Sequence, residues 1–213
     1  MKSFFRRLYY KFVQKKADVV VAKVDSKPVS TDDLKWGFVV PHTKKAAGAV
    51  LKITIKGKSK VQDQEYFYAM DVIDELASKL GVTKATRDEG GLKGAFSWLN
   101  IEGCNASIEP HLNAFNTKAE GYEVLILDGD STSEVYAKEL LALFGEMFPK
   151  RVNRGIKRIK AGGRGFSNLM AAKEKGMKVA LLTELFFIDN PKEFISRGDM
   201  VEFFNRFLIG KDV

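Results

Sequence analysis

Short apolar runs alternate with amphipathic segments along most of this 213-residue chain, and this alternation constrains the fold more than any other feature. Short apolar runs are typical of buried strands, whereas apolar residues that recur every three or four positions indicate helices. Their alternation predicts a single α/β domain with a mostly parallel central sheet and helices on both faces. The expected strands are "WGFVV", "AVLKITIK", "VTKAT", "CNASIE", "YEVLIL", "IKRIK" and "KVALLTEL". The expected helices cover residues 62–80, 92–101, 132–147, 166–175 and 191–208. The last of these helices would have Pro191 in its first turn, where proline is favoured.

A basic segment precedes the part of the chain that shows this alternation. The first residues, "MKSFFRRLYYKFVQKK", predict a basic amphipathic helix. Residues 17–35 contain Pro28 and a cluster of Ser, Thr and Asp, which predicts a connecting loop. We therefore divide the chain into residues 1–34, a basic N-terminal helix and linker, and residues 35–213, a single main domain of a size that can bury its own core.

The charge of the chain favours anionic partners. Its 35 Lys and Arg residues outnumber 27 Asp and Glu residues, which gives a net charge of +8. No nucleic-acid-binding motif accompanies the basic groups, so nucleic acid is not an expected partner. The N-terminal helix is expected either to pack on the domain or to touch an anionic membrane or polymer surface.

Membrane insertion and disulfide bonding are both disfavoured by the sequence. No stretch approaches the roughly 18 consecutive apolar residues of a membrane span. Five basic residues interrupt the apolar segment that a cleaved signal would need, so we expect no clear signal peptide: Arg6, Arg7, Lys11, Lys15 and Lys16. The single cysteine, Cys104, excludes an internal disulfide and is expected to be a small buried residue.

The chain contains only two histidines, and each follows an apolar run. His42 ends "FVVPH", and His111 lies in "ASIEPHLNAF". In an α/β domain, side chains at the carboxyl ends of strands line the crevice where ligands bind. Two readings are therefore open: both are ordinary structural histidines, or both are nitrogen ligands of one metal site.

Two glutamates are candidates for a metal site that includes the histidines, one as a third ligand and one as a catalytic group. A catalytic zinc takes three protein ligands and leaves one position open, and Glu65 at the start of a predicted helix is the best third ligand. Glu184 ends the apolar run "KVALLTEL", where a buried carboxylate needs a partner or a catalytic role. It is either one half of a buried salt bridge or a general acid/base. The glycine-rich "AGGRGF" lacks a complete phosphate-binding motif, so we interpret it as a flexible turn.

Four motifs, taken in order, resemble the zinc-dependent N-acetylmuramoyl-L-alanine amidases of bacterial cell division, spore lysis and phage lysis. "FVVPHTKKAAGAV" resembles the strand and loop of the first histidine ligand, and "QEYFYAMDVIDELASKLGVTKATRD" resembles the helix that begins with the glutamate ligand. "ASIEPHLNAF" is similar to the segment of the second histidine ligand, and "VALLTELFFIDNPKEF" to the segment of the catalytic glutamate. The resemblance covers about residues 36–208.

This resemblance implies specific roles. His42, Glu65 and His111 would be the ligands of zinc (Zn2+), and Glu184 the catalytic acid/base. Arg87 matches the arginine that follows the strand after the long helix, and we expect it to brace the fold. The implied activity of residues 35–213 is hydrolysis of the amide between N-acetylmuramic acid and L-alanine in peptidoglycan.

The chain departs from the family pattern at three places. "PHTK" replaces a glycine-rich loop after the first histidine, and Leu185-Phe186 replaces a pair that ends in glycine. "SIEPH" carries two extra residues, so Glu109 could approach the metal or an amino group of the substrate. These departures leave the exact substrate less constrained than the fold.

Two rival functions remain at this stage. One is a zinc peptidase or another amide hydrolase that acts on wall peptides, and the other is a non-enzymatic basic module that binds wall polymer. For the leading hypothesis we expect peptidoglycan as the substrate, with the basic N-terminal segment as a possible contact to anionic wall polymer or membrane. We expect synthesis in the cytoplasm without a clear signal peptide and action on the cell wall, by phage lysin release or by atypical export.

Overall fold

The computed structural model describes residues 2–25, 34–55, 58–88, 90–209, 211 and 213. The expected alternation of strands and helices is present in these residues. The helices are α1 (Lys2–Asp25), α2 (Glu65–Leu80), α3 (Gly91–Ile101), α4 (Ser131–Met147), α5 (Phe166–Glu174) and α6 (Arg197–Leu208). The strands are β1 (Trp36–Val39), β2 (Val50–Ile55), β3 (Lys58–Gln64), β4 (Thr83–Ala85), β5 (Ala106–Asn113), β6 (Tyr122–Leu127), β7 (Asn153–Ile159) and β8 (Val179–Phe187).

Six strands form the central sheet in the order β4-β1-β5-β8-β6-β7. All neighbouring pairs are parallel except β6 and β8, which run antiparallel. β2 and β3 form a separate antiparallel hairpin. The prediction of an α/β domain with a mostly parallel central sheet is confirmed.

Helices cover both faces of this sheet, as expected. One core contains buried residues of α2, α4 and α6, and the other contains buried residues of α1, α3 and α5. Successive strand residues enter opposite cores, so Phe38 packs in the first core and Val39 in the second. The strands β1, β5, β6 and β8 are buried along their whole length. Burial on both faces explains the nearly continuous apolar runs of β1, β6 and β8, whereas β5 also buries polar residues such as Glu109 and His111.

The beginning of α2 and its packing differ from our expectation. Residues 62–64 belong to β3, and α2 begins at Glu65. Spacing alone favours Phe67 as a core residue, but 38% of its surface is exposed. Ile73 and Leu76, which the same spacing favours, are buried, together with Tyr68 and Val72.

The last helix begins six residues later than predicted. Pro191 lies in a turn, and α6 begins at Arg197. Ser196 is the N-cap residue, and its side chain accepts a hydrogen bond from the backbone N–H of Asp199, which satisfies an otherwise free helix donor. The sequence "SRGD" therefore carried a stronger start signal than the proline.

The N-terminal helix is longer than expected and packs on the domain. Helix α1 continues to Asp25, whereas we assigned residues from 17 onward to a loop. Ala17 and Val21 are buried in the core beneath α3 and α5. Lys16 Nζ lies 2.5 Å from Glu174 Oε1 of α5. Pro28 and the predicted loop around it lie outside the described residues.

Candidate metal centre and active-site pocket

A pocket of about 410 Å³ opens at the carboxyl end of the parallel strands and contains every site residue that we predicted from sequence. His42 comes from the loop after β1, Glu65 from the start of α2, His111 from β5 and Glu184 from β8. The predicted position of His42 just beyond a strand is correct. His111 and Glu184 instead lie inside their strands, directly opposite each other in the β5–β8 register.

Backbone geometry brings the His42 ring to the centre of the pocket. His42 has a φ of 63°, a left-handed conformation that is uncommon for residues other than glycine. Later in the same loop, Gly48 has a φ of 75°. A Cβ atom at Gly48 would lie 2.5 Å from Glu65 Oε2 and 2.6 Å from His42 Nε2. The absence of a side chain at Gly48 therefore leaves room for His42 and Glu65 to approach each other, although "PHTK" lacks the glycines of the family loop.

The Glu65 carboxylate lies between the two imidazole rings. Its Oε2 is 3.0 Å from His42 Nε2, and its Oε1 is 2.8 Å from His111 Nδ1. The backbone N–H groups of Ala49 and Leu112 donate to the two oxygens at 2.9 and 3.0 Å. Burial raises the pKa of Glu65, but hydrogen bonds and charge from His111 and His42 outweigh burial and lower it to about 2.

These three side chains fit a metal ion. His42, Glu65 and His111 each offer one ligand atom, and the three atoms lie within 4.8 Å of one another. Two imidazole nitrogens and one carboxylate oxygen form a donor set that zinc accepts in catalytic sites, with ligand distances of about 2.0–2.2 Å. Because the donors already converge, a zinc ion could replace the direct contacts between Glu65 and the histidines without a change of fold.

Glu184 lies in the same pocket with one carboxylate oxygen unused. It is 6% exposed, and its Oε1 is 3.3 Å from Arg164 Nη1. Among the described residues, its Oε2 has no hydrogen-bond partner. Burial raises the pKa of Glu184 to about 7, against the opposing charges of His111 and Arg164. Glu184 therefore has the arginine partner of the salt-bridge interpretation, and its role as a general acid/base stays a hypothesis.

Arg164 is a pocket residue that the sequence analysis missed. It belongs to "AGGRGF", which we interpreted as a flexible turn, and the next residue, Gly165, begins the approach to α5. Arg164 Nη1 donates to Asn113 Oδ1 at 2.7 Å, and Nη2 pairs with Glu123. The only sequence signal was a single basic residue within a glycine-rich turn that follows a strand.

Arg87 and Glu109 form a second charged group beside His111. Arg87 follows β4 and pairs with the Glu109 carboxylate. Glu109 is 3% exposed, its Oε1 lies 3.2 Å from His111 Nε2, and its Oε2 accepts a hydrogen bond from Asn168 Nδ2 at 3.1 Å. Arg87 thus lines the pocket, and the bracing role that we expected for it stays a prediction.

Cys104 is separate from this pocket. Its side chain is buried in the core of α3 and α5, and burial raises the pKa of its thiol. A protonated thiol is a poor nucleophile. The prediction of a small buried residue is confirmed.

The fold and the site together define an α/β domain with a candidate metal centre at the carboxyl edge of its sheet. No family model and no curated protein matches the sequence. Solved structures do match. An N-acetylmuramoyl-L-alanine amidase from Clostridium difficile 630 is 18% identical, with a TM-score of 0.64 over 84% of this chain and 97% of that one.

Two further structures agree with this match. The N-acetylmuramoyl-L-alanine amidase AmiC2 of Nostoc punctiforme is 14% identical, with a TM-score of 0.60 over 85% of this chain and 98% of that one. The catalytic domain of the CD27L endolysin targeting Clostridia difficile is 22% identical, with a TM-score of 0.56 over 84% and 99%. This chain therefore has the fold of the N-acetylmuramoyl-L-alanine amidases, which confirms the resemblance found in the sequence.

Proposed function

We propose that this protein is a zinc-dependent N-acetylmuramoyl-L-alanine amidase that hydrolyses the amide between N-acetylmuramic acid and L-alanine in peptidoglycan. One observation carries the proposal: His42, Glu65, His111 and Glu184 converge in one pocket of a fold shared with solved amidases. Four chemically suited residues from four separate elements are not expected to meet by chance at a ligand-binding edge.

His42, Glu65 and His111 would hold the zinc ion. When bound, zinc would lower the pKa of its bound water to about 7 and polarise the scissile carbonyl. The charge of the ion would also replace the two histidines as the partner of the Glu65 carboxylate. The backbone donors from Ala49 and Leu112 hold that carboxylate in place, so Glu65 needs no rearrangement to act as a ligand.

Glu184 would move the proton. Its ionised carboxylate takes a proton from the attacking water, and the resulting acid gives that proton to the nitrogen of L-alanine as the amide bond breaks. A carboxyl group with a pKa of about 7 suits both steps near neutral pH. Arg164 Nη1 lies 3.3 Å from the other oxygen of Glu184 and would hold that oxygen in place.

The chain divides into a catalytic and an appended part in this proposal. We assign catalysis to residues 35–213, and the solved amidases match a similar share of this chain. Residues 1–34 would be a basic appended segment. Phe12 and Val19 on α1 are 70% and 61% exposed beside the exposed Lys11 and Lys15, a surface suited to anionic membrane or wall polymer. None of the helices in the described residues is both long and apolar enough to cross a membrane.

Product analysis tests the function directly. Purified peptidoglycan is incubated with the zinc-loaded protein, and the released products are identified by mass spectrometry with and without a zinc chelator. We expect chelator-sensitive release of stem peptides with a new free amino group on L-alanine. Cuts within the stem would instead identify a peptidase. No products from several wall types would favour the binding module.

A matched pair of variants tests the role of Glu184. Glu184→Gln should lower the rate of release by roughly 100-fold or more, because the variant cannot transfer a proton. Glu193→Gln is the control, since Glu193 is also a buried carboxylate that pairs with arginine but does not line the pocket. Near-normal hydrolysis by Glu184→Gln would rule out the proposed role.

A further inference from the structure

Strand β5 places two ionisable side chains on the same side of the sheet. Glu109 and His111 are two residues apart, and alternate residues of a strand point to the same face. Glu109 Oε1 consequently lies 3.2 Å from His111 Nε2. Leu112, the neighbour of His111, points into the opposite core with α2.

The two nitrogens of the His111 ring face different carboxylates. Nδ1 contacts Glu65 Oε1 at 2.8 Å and thus the group of candidate ligands, whereas Nε2 lies 3.2 Å from Glu109 Oε1. Among the described residues, neither Nε2 nor Glu109 Oε1 has a hydrogen-bond partner, so each is available to the other. The two ring nitrogens point to opposite sides of an imidazole. Within the described residues, the cluster that could hold a metal comprises His42, Glu65 and His111, and Glu109 is not part of it. Glu109 therefore lies on the far side of His111 from the candidate metal position.

Other contacts hold the Glu109 side chain in place. Arg87 pairs with its carboxylate, and Asn168 donates to Oε2 at 3.1 Å. The side chains of Arg87 and Glu109 are 14% and 3% exposed, so solvent competes little for this pair. A buried carboxylate with two fixed partners has little freedom to swing toward the metal.

We propose that Glu109 is a positioning residue that accepts the Nε2 proton of His111 and thereby presents the unprotonated Nδ1 to zinc. Arg87 and Asn168 fix Glu109, so the three side chains form a support behind one ligand. Histidine ligands commonly donate their second nitrogen to a carboxylate, which sets the tautomer and orients the ring. The inference rests on the zinc site of the proposed function and assigns a role to the extra residues of "SIEPH".

Zinc affinity provides a readout that does not depend on catalysis. The affinity is measured at one pH by competition with a chromophoric chelator, for the wild-type protein and for Glu109→Gln. We expect the substitution to weaken zinc binding by about 10- to 100-fold. Glu193→Gln is the control and should bind zinc as tightly as wild type, because it alters a buried carboxylate–arginine pair outside the pocket.

Nuclear magnetic resonance of the wild-type protein tests the same proposal without a variant. The chain has two histidines, so the imidazole ¹⁵N spectrum is simple to assign. In the zinc-loaded protein we expect a slowly exchanging proton on Nε2 of His111, with the metal on Nδ1. Metal on Nε2, or a rapidly exchanging Nε2 proton, would overturn the proposal even if Glu109→Gln failed to fold.

The outcomes separate this inference from the proposed function. If wild type and Glu109→Gln bind zinc with equal affinity, the positioning role is wrong and the zinc site stands. If wild type binds no zinc, both proposals fail. Weaker binding by Glu109→Gln with normal thermal unfolding of the metal-free protein supports the positioning role, since general destabilisation would lower the unfolding temperature as well.

Discussion

The buried carboxyl group of Glu184 should make the stability of the metal-free protein depend on pH. The pKa of Glu184 rises from an ordinary 4.5 to about 7 in the folded protein, mainly through burial. A group whose pKa is raised on folding stabilises the protein fully below the unfolded pKa, and this stabilisation is lost as the pH rises through the folded pKa. The affected range therefore lies between about pH 4.5 and pH 7.

The substitution Glu184→Gln removes this effect, because glutamine is neutral at every pH. The increase of the Glu184 pKa from 4.5 to about 7 corresponds to roughly 3 kcal/mol, since a pKa shift of one unit equals about 1.4 kcal/mol. Relative to wild type, the variant should thus gain up to about 3 kcal/mol in free energy of unfolding between pH 4.5 and pH 7. Loss of the contact with Arg164 in the variant shifts its free energy of unfolding equally at every pH, so it does not alter this pH-dependent gain.

Urea unfolding of the chelator-treated proteins at pH 4.5, 5.5, 6.5 and 7.5 measures this difference. Removal of metal matters, because a nearby cation would favour the ionised carboxylate. Glu120→Gln makes the same chemical change at an exposed position and should give a difference that stays flat across the series. A flat difference for Glu184→Gln as well would refute the argument that burial controls this carboxyl group.

Three further predictions concern the pocket and the N-terminal helix. Gly48→Ala should abolish tight zinc binding in a chelator competition, because its Cβ would lie 2.5 Å from Glu65 Oε2; unchanged affinity would contradict this. Arg164→Gln should shift the ascending limb of kcat/KM to higher pH, since the arginine charge lowers the pKa of Glu184; an unchanged pH profile would show that Arg164 does not act on it. Phe12→Ser should reduce sedimentation with phosphatidylglycerol vesicles while unfolding stays normal, and equal sedimentation would argue against a membrane contact through α1.

The sequence predicted the parts of the fold that depend on local pattern. The continuous apolar runs identify β6 and β8 because both strands are buried on two faces. Residues 62–64 were misassigned, since β3 carries no apolar run and, among the described residues, pairs with β2 alone. The misplaced start of α6 followed from giving Pro191 more weight than the capping signal of Ser196.

The sequence predicted the four residues of the candidate site, but it did not predict the ion pairs that surround them. His42, Glu65, His111 and Glu184 each carry a local signal in their own segment. The contacts of Arg164 with Glu123 and of Arg87 with Glu109 span 41 and 22 residues, respectively, and depend on which strands become neighbours. Periodicity within a segment holds no information about such pairs.

One departure from the family pattern is explained by packing. Phe186 stands where the resemblance implied a glycine, and its side chain is fully buried. Its ring makes edge contacts with Tyr68 and Phe194, at centroid distances of 5.4 and 5.9 Å. The core that contains α2, α4 and α6 therefore has room for an aromatic ring at this position.

Helix α1 also acts as a cover for apolar surface. Ala17 and Val21 seal part of the core that includes Phe96 and Met170. A shortened protein that begins after residue 34 would present this uncovered apolar area to water, and exposed patches of this kind promote self-association. Helix α1, which carries no proposed catalytic residue, would thus prevent self-association of residues 35–213.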